Sequence, residues 1–267
     1  MHRVPNLHVE GETCIGKDVV LLDREDDLIA KTSWKNEGYS VEKFLAPADF
    51  AALEAGIRGM VWTLVREAGV SVSDDEPLVN YHKIVQGNDE AHRFVARWGM
   101  PLSLFPIDPD LVCDRVSEIC QTPLRLKSVP NKKGVSEVPF GFRVVRPQST
   151  DQNPLHRDAW QDVWKGSLNI WIPIAGCDEK TSLPLVPGSH RWMESEIERT
   201  RSGARIDNKV YMVPSVTGST RDLTPIIPNP GPNEVLVFSP YVIHGNASNK
   251  TEDTSRVSIE MRFERRP

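Results

Sequence analysis

The 267-residue sequence predicts an α+β protein in which N-terminal helices pack against a β sandwich or jelly roll. Three observations support this fold class. Apolar residues recur with helical spacing before about residue 135, short strands separated by turn residues follow, and the last strand alternates strictly. We expect one domain over residues 1–267, with helical support mainly within 40–125 and a β core over about 135–265.

Three helices are predicted in the first half of the chain. The clearest spans Asp49–Gly69, where apolar residues recur at three- and four-residue steps. Asp49 is the expected N-cap and Gly69 the expected stop. Asn88–Trp98 and Pro109–Gln121 show the same spacing over shorter stretches, so all three segments should pack an apolar face on the β core.

Six short strands are predicted in the second half. They are Phe140–Arg146, Ser167–Ile174, Leu183–Val186, Lys209–Val213, Glu234–Ser239 and Arg256–Phe263. In the last one, polar and apolar side chains face opposite sides. The polar face is Arg256, Ser258, Glu260 and Arg262, and the apolar face is Val257, Ile259, Met261 and Phe263. The polar segment Gly188–Gly231 is expected to be partly loop and to serve as a lid or substrate loop.

Composition excludes several function classes. The net charge of −5 and the absence of a long Lys/Arg run argue against nucleic acid or an anionic membrane as a partner. No apolar run is long enough to cross a bilayer, and the N-terminus lacks the apolar stretch of a signal peptide. The four scattered cysteines indicate reduced thiols. We therefore expect a cytoplasmic protein with a small-molecule substrate, and the sequence leaves its oligomeric state open.

The motif His156-Arg157-Asp158, with His244 far downstream, carries the strongest chemical signal. Residues two apart on a strand face the same side, so His156 and Asp158 can bind one metal ion together. A second histidine from a later strand would complete the 2-His-1-carboxylate triad of non-haem Fe(II) oxygenases, which leaves positions open for a cosubstrate and O₂. The ordinary alternative is a set of surface or core residues with common hydrogen bonds.

Arg256 lies twelve residues after His244, beyond a turn-rich stretch. A hairpin here would set Arg256 beside the strand that ends at His244. Arg256 and Ser258 could then hold the distal carboxylate of a dicarboxylate whose 2-oxo acid end chelates the metal, as 2-oxoglutarate does. The alternative is that both are solvated strand residues. Arg262 could compete with Arg256 for this role, but it lies further along the strand.

Four segments together resemble the phytanoyl-CoA dioxygenase family of Fe(II)/2-oxoglutarate-dependent oxygenases. The resemblance covers roughly Phe140–Phe263. The segments are His156-Arg157-Asp158, Leu168–Ile174, Leu185–His190 with its VPGSH block, and His244-Gly245-Asn246 followed by Arg256-Val257-Ser258. The resemblance implies a double-stranded β-helix, also called a jelly-roll or cupin-like core, supported by helices.

The resemblance also implies roles for individual residues. His156, Asp158 and His244 would bind Fe(II), and Arg256 and Ser258 would bind the 2-oxoglutarate carboxylate, with O₂ as the oxidant. Three further cosubstrate contacts are implied, each with a structural alternative: Trp171, Asn246 and Arg143. His190 is expected to be structural. The carboxylate of Asp158 argues against halogenation, because halogenating relatives lack it.

The segment after the motif mixes aromatic and hydrogen-bonding residues, which favours a polar substrate. Trp160, Trp164 and Arg157 are the candidate substrate contacts, although both tryptophans could simply pack beneath the loop. The predicted reaction is hydroxylation or oxidative cyclisation at a C–H bond of a sugar-containing or secondary metabolite. Two alternatives are a cupin-type metalloenzyme that does not use 2-oxoglutarate and a non-catalytic β-helix binding protein.

Overall fold

The computed structural model describes residues 2–3, 9–96, 100–130, 136–149, 153–206 and 209–267. The helices within these residues are α1 Pro47–Glu67, α2 Tyr81–Ile84, α3 Asp89–Val95 and α4 Pro109–Cys120. The strands up to the middle of the chain are β1 His2–Arg3, β2 Thr13–Ile15, β3 Tyr39–Lys43, β4 Met100–Pro101, β5 Leu124–Leu126, β6 Val129–Pro130, β7 Ser136–Glu137 and β8 Pro139–Val145. The later strands are β9 Ser167–Ala175, β10 Ile197–Thr200, β11 Ala204–Ile206, β12 Lys209–Tyr211, β13 Val216–Ser219, β14 Glu234–Phe238 and β15 Arg256–Arg265.

The main sheet is antiparallel and has the strand order β3-β14-β9-β15-β8-β4, with β5 also paired to β15. A smaller sheet has the order β1-β13-β10-β2, and β11-β12 and β6-β7 form separate two-stranded ribbons. The side chains of the main sheet divide between two faces, since successive strand residues point to opposite sides. This large antiparallel sheet belongs to the jelly-roll fold predicted from the sequence.

The helices cover one face of the main sheet. The strictly alternating pattern of β15 explains the contact, because its apolar residues all point to this side. Val257, Ile259, Met261 and Phe263 are buried in one cluster with Leu53, Ile57 and Val61 of α1 and Val112 and Val116 of α4. The predicted packing of helices against a β core is therefore confirmed, and the polar face of β15 is left for the interior of the roll.

The helix ends differ slightly from the prediction. Helix α1 begins at Pro47, with Ala46 as the N-cap, whereas Asp49 lies in the first turn. Proline suits the first helical position because its φ is already set and its missing N–H would have no partner there. Asn88 caps α3 by accepting a hydrogen bond from the Ala91 amide, and the helix ends at Val95. The predicted end at Trp98 lies outside the described residues.

The segment expected to be partly loop, Gly188–Gly231, contains strands β10 to β13 joined by connecting residues. Two expectations about strands need correction. The predicted strand Leu183–Val186 is only an isolated bridge at Leu185, which pairs with Ile226 and His244. In the half predicted to be helical, β3 pairs with β14 at the edge of the main sheet. This last pairing joins residues far apart in sequence, and so local periodicity does not indicate it.

Among the described residues, no helix is both long and apolar enough to span a bilayer.

Candidate metal centre

His156 and His244 lie opposite each other on two antiparallel segments of the roll. Each donates its backbone N–H to the carbonyl of the other at 2.9 Å. The Nε2 atoms of His156 and His244 lie 3.3 and 3.9 Å from Oδ1 of Asp158. The three ligand atoms lie within 4.8 Å of one another, and all three residues are buried. This clustering brings together the three residues that the sequence singled out.

The hydrogen bonds of the two imidazoles leave one nitrogen of each ring free to bind a metal. Nδ1 of His156 donates to the Pro154 carbonyl at 2.7 Å, and Nδ1 of His244 donates to the Val242 carbonyl at 2.9 Å. With the proton on Nδ1, the Nε2 lone pairs point into the shared space. Burial and the neighbouring His156 lower the pKa of His244 to about 4, which keeps its ring neutral.

The two oxygens of Asp158 have different partners. Oδ1 faces the two histidines. Oδ2 accepts hydrogen bonds from Asn169 Nδ2 at 2.8 Å and from Arg262 Nη2 at 2.9 Å. Burial alone would raise the pKa of Asp158, but Arg262 and the histidines hold it well below its usual range. The group is therefore a carboxylate with one oxygen turned to the histidines, an arrangement suited to a divalent cation.

Arg256 and Ser258 lie on the interior face of β15 and are buried, which excludes the reading of solvated strand residues. Arg256 Nη1 donates to the Thr181 carbonyl at 3.0 Å, and the guanidinium lies 5.7 Å from the centre of the Trp171 ring. Arg256 Nε and Ser258 Oγ have no hydrogen-bond partner within the part of the chain that the structure describes. Buried donors without partners are rare, and these two would be satisfied by a bound anion.

A cavity of about 480 Å³ opens beside the triad. Its walls include five residues expected to contact cosubstrate or substrate, which are Arg143, Trp164, Trp171, Asn246 and Arg256. They also include Arg262, weighed above as a competitor of Arg256, and residues that the sequence did not single out as contacts, which are Asn153, Gln161, Leu183, Tyr211, Met212, Val213, Gly245, Ala247 and Glu260. Tyr211, Met212 and Val213 belong to the segment expected to form a lid or substrate loop.

One wall of this cavity is a row of ion pairs. Arg143 Nε donates to Glu260 Oε1 at 3.0 Å, and Glu260 Oε2 lies 4.0 Å from Arg262 Nη2. Arg262 in turn holds Asp158, so opposite charges alternate from the edge of the sheet to the metal ligands. Arg143 therefore has a structural partner in Glu260 and also lies in the cavity wall.

Two candidate substrate contacts lie elsewhere. Arg157 is fully buried, and its guanidinium pairs with Glu194 and with the carbonyl of Ser189. Trp160 donates its Nε1 hydrogen to the other Glu194 oxygen at 2.9 Å. Arg157 follows His156 on extended backbone and therefore points to the opposite side of the segment. Neither residue is among those lining the cavity beside the triad, and the buried Arg157 is withdrawn as a substrate contact. Trp160 lines a neighbouring cavity that shares Gln161, Tyr211 and Met212 with the first, and it stays a candidate.

The strand arrangement around Arg256 also differs from the expected hairpin. Strand β15 lies between β9 and β8, and β9 separates it from β14, the strand that precedes His244. His190 is buried, with Nε2 3.0 Å from the Lys35 carbonyl, in line with a structural role. Glu260 and Asn169 are site residues that sequence reasoning missed, and Arg262, weighed only as a competitor of Arg256, instead donates to Asp158. Strict alternation had already put Arg262 and Glu260 on the same face as Arg256.

The fold and the buried cluster define a jelly-roll protein with a metal site of two histidines and one carboxylate. The sequence model of the phytanoyl-CoA dioxygenase (PhyH) family matches residues 34–258, and the chain belongs to this family. It is accordingly an oxygenase that depends on non-haem Fe(II) and 2-oxoglutarate. This class is favoured over the 2-oxoglutarate-independent cupin enzyme and the binding protein that the sequence left open.

Solved structures similar to this chain share little sequence with it. AviO1 from Streptomyces viridochromogenes Tue57 is 16% identical, with 87% of this chain and 93% of that chain covered and a TM-score of 0.48. EctD from S. alaskensis, solved with 2-oxoglutarate and 5-hydroxyectoine, is 14% identical, with coverage of 98% and 86% and a TM-score of 0.45. SnoK, a non-haem α-ketoglutarate-dependent carbocyclase from nogalamycin biosynthesis, is 17% identical, with coverage of 93% and 87% and a TM-score of 0.46. No curated protein sequence matches the chain.

Proposed function

We propose that this oxygenase hydroxylates or oxidatively cyclises a C–H bond of a polar small molecule, with Fe(II) held by His156, Asp158 and His244. Arg256 and Ser258 hold the distal carboxylate of 2-oxoglutarate. One observation carries the assignment of these residues. The triad lines the same cavity as the buried Arg256, whose Nε has no hydrogen-bond partner among the described residues. The Ser258 hydroxyl, two residues along the same strand, likewise has none among them.

The donor set suits iron because two imidazoles and one carboxylate would occupy one side of the ion. Three positions then stay open, two for the 2-oxo acid and one for O₂. Bound iron with its cosubstrate supplies the oxidising chemistry, and the protein supplies position and shelter from water. The carbonyl partners of both Nδ1 atoms fix the ring orientations before the metal arrives.

In this proposal, Arg256 neutralises the distal carboxylate of the cosubstrate and fixes its orientation. A guanidinium can donate two parallel hydrogen bonds to one carboxylate, and a buried one does so in a setting of low dielectric constant. Trp171 lies close to Arg256 and would pack against the carbon chain of the cosubstrate. Asn246 stands in the same wall with a positive φ of 57°, in the turn that follows His244. Its amide and the Arg143 guanidinium are secondary contacts in this proposal.

The rest of the cavity favours a substrate rich in hydroxyl groups. Asn153, Gln161 and Glu260 offer hydrogen-bonding groups, while Trp164 offers a flat apolar surface. Sugar rings present the same combination of hydroxyls and a hydrophobic face, and the volume of about 480 Å³ accommodates a molecule of that size. A sugar-containing or secondary metabolite is therefore the proposed substrate class.

Anaerobic titration with Fe(II) and 2-oxoglutarate tests the assignment. We expect a visible charge-transfer band for the native protein and its loss in Arg256→Ala. Arg265→Ala is the matched control, because Arg265 ends the same strand but is exposed. An unchanged band in Arg256→Ala would contradict the role of Arg256, and no band in the native protein would contradict the proposed site.

Substrate class is tested by a screen for succinate release. A panel of sugars, aminocyclitols and glycosylated metabolites is compared with fatty acids and acyl-CoA esters of similar size. We expect release above the substrate-free rate for the hydroxyl-rich compounds. Stimulation by the acyl compounds alone would overturn the proposed substrate class and would leave the iron and 2-oxoglutarate assignments standing.

A further inference from the structure

We propose that Arg262 is a positioning residue that makes Asp158 bind the metal through one oxygen only and so keeps a coordination position open. The inference rests on the iron site proposed above. It concerns a different question, namely how the carboxylate ligand binds. Arg262 neither contacts the expected metal position nor belongs to the three ligands.

The hydrogen bonds around Asp158 separate its two oxygens. Arg262 approaches Oδ2 with Nη2 at 2.9 Å and Nε at 3.3 Å, and Asn169 Nδ2 reaches the same atom at 2.8 Å. A carboxylate oxygen has about two lone-pair sites, so these donors occupy it fully. Oδ1 is the oxygen that faces the histidine Nε2 atoms. Only Oδ1 is thus available to a metal.

The way in which Asp158 binds decides how many positions remain for the reactants. With one carboxylate oxygen bound, the triad leaves three positions, which the 2-oxo acid and O₂ fill completely. If both oxygens of Asp158 bound, one of those positions would be lost. The cosubstrate and O₂ would then compete for the remaining positions. Holding Oδ2 away from the metal is accordingly a requirement of the chemistry.

Arg262 is itself held in place by residues of the substrate cavity. Its guanidinium stacks over the Trp164 ring, with its central carbon 4.3 Å from the ring centre. Trp164 Nε1 donates to Gln161 Oε1 at 3.0 Å, and Gln161 Nε2 donates to the Met212 carbonyl at 3.3 Å. These contacts connect the segment proposed as the substrate loop to the metal ligand. The side chain of Arg262 is 12% exposed, so little freedom remains to it.

Substitution at position 262 tests the inference with Mn(II) as the probe. Arg262→Met keeps much of the side-chain volume and removes both donors, Arg262→Lys keeps the charge with a single donor group, and Arg265→Met is the matched control. Crystal structures of the Mn(II)-loaded proteins report how Asp158 binds. The number of waters bound to Mn(II) in crystals grown with 2-oxoglutarate reports the open positions, and calorimetric titration with Mn(II) reports the affinity for the metal.

In Arg262→Met we expect Asp158 to bind Mn(II) through both oxygens, so that no metal-bound water remains beside 2-oxoglutarate, whereas the native protein keeps one. The affinity for Mn(II) should fall by about 10- to 100-fold, the usual effect of removing a partner of a metal ligand. Arg262→Lys should show a smaller loss and Arg265→Met none. If Arg262→Met does not fold, the Lys variant still decides, because native affinity together with one-oxygen binding in that variant would overturn the inference.

The outcomes separate this inference from the proposed function. One-oxygen binding and a retained metal-bound water in Arg262→Met would overturn the role of Arg262 and leave the iron site intact. A pure charge effect would appear as full recovery in Arg262→Lys and would also overturn the inference. If the native protein bound no Mn(II), the proposed metal site itself would fail.

Discussion

The guanidinium of Arg157 and the carboxylate of Glu194 form an ion pair beneath the metal ligands, with side chains 0% and 8% exposed. Arg157 also donates to the Ser189 carbonyl, and Trp160 donates to the second oxygen of Glu194. Arg157 stands between the two ligands that its motif contributes. The pair therefore fixes the segment that carries His156 and Asp158.

Glu194→Gln should destabilise the fold, because it leaves the Arg157 charge buried without a counter-charge. Breaking a buried pair in this way costs about 3–5 kcal/mol in the free energy of unfolding. Urea denaturation of the metal-free protein measures the change. Glu12→Gln is the control, because the Glu12–Arg201 pair is exposed and should contribute at most about 1 kcal/mol. Equal losses in both variants would contradict the anchoring role.

Gly245→Ala should weaken metal binding without altering a ligand. Gly245 has a φ of 119°, and an added Cβ would lie 2.3 Å from the Pro154 carbonyl oxygen and 3.1 Å from His156 Nδ1. That oxygen orients the His156 ring, so the clash displaces a ligand. We expect a loss of about 1–3 kcal/mol in stability from backbone strain, measured by urea denaturation, and a weaker Mn(II) titration. Gly59→Ala is a suitable control, since its Cβ would meet no atom of the described residues within 4 Å. Native Mn(II) affinity in Gly245→Ala would contradict the prediction.

Asp158→Ala should abolish metal binding and turnover while the protein still folds, because the triad loses its only charged ligand. Mn(II) titration followed by electron paramagnetic resonance measures binding, and a cooperative thermal melt reports the fold. Asp162→Ala removes an exposed carboxylate four residues away, on a side chain that is 91% exposed, and should bind Mn(II) normally. Hydroxylation at the native rate by Asp158→Ala would remove Asp158 from the site.

Ser258→Ala should separate function from stability. The Ser258 hydroxyl is buried and has no hydrogen-bond partner in the described part of the chain, so its removal should leave the free energy of unfolding unchanged or slightly higher. Losing a hydrogen bond to a charged carboxylate should lower 2-oxoglutarate affinity by about tenfold. The adjacent Ile259→Ala should do the reverse, costing about 2–5 kcal/mol of stability. Calorimetry and urea denaturation measure the two effects. A large stability loss in Ser258→Ala would contradict the assignment.

Sequence periodicity predicted the structural features that depend on residues close together in the sequence. The alternation along β15 gave the division between core and cavity, and the two-residue step placed His156 and Asp158 together. The sequence did not indicate features that depend on the order of strands. The insertion of β9 between β14 and β15 is one example, and the contact of Arg262 with Asp158 is another. Arg157 was misjudged for a different reason, because its polarity indicated a cavity residue while the same two-residue step turns it away.

The alternation of β15 also constrains how the chain can fold. This strand is paired on both sides, by β8 and β9, near the middle of the main sheet. A slip of one residue against its neighbours would turn three charged side chains into the layer beneath the helices and expose the apolar set to the cavity. Such a slip would bury arginine without a counter-charge, which makes it far less stable than the native pairing. The charged residues that serve the reaction therefore destabilise the shifted register of β15. Selection for activity consequently also selects for correct pairing of this strand.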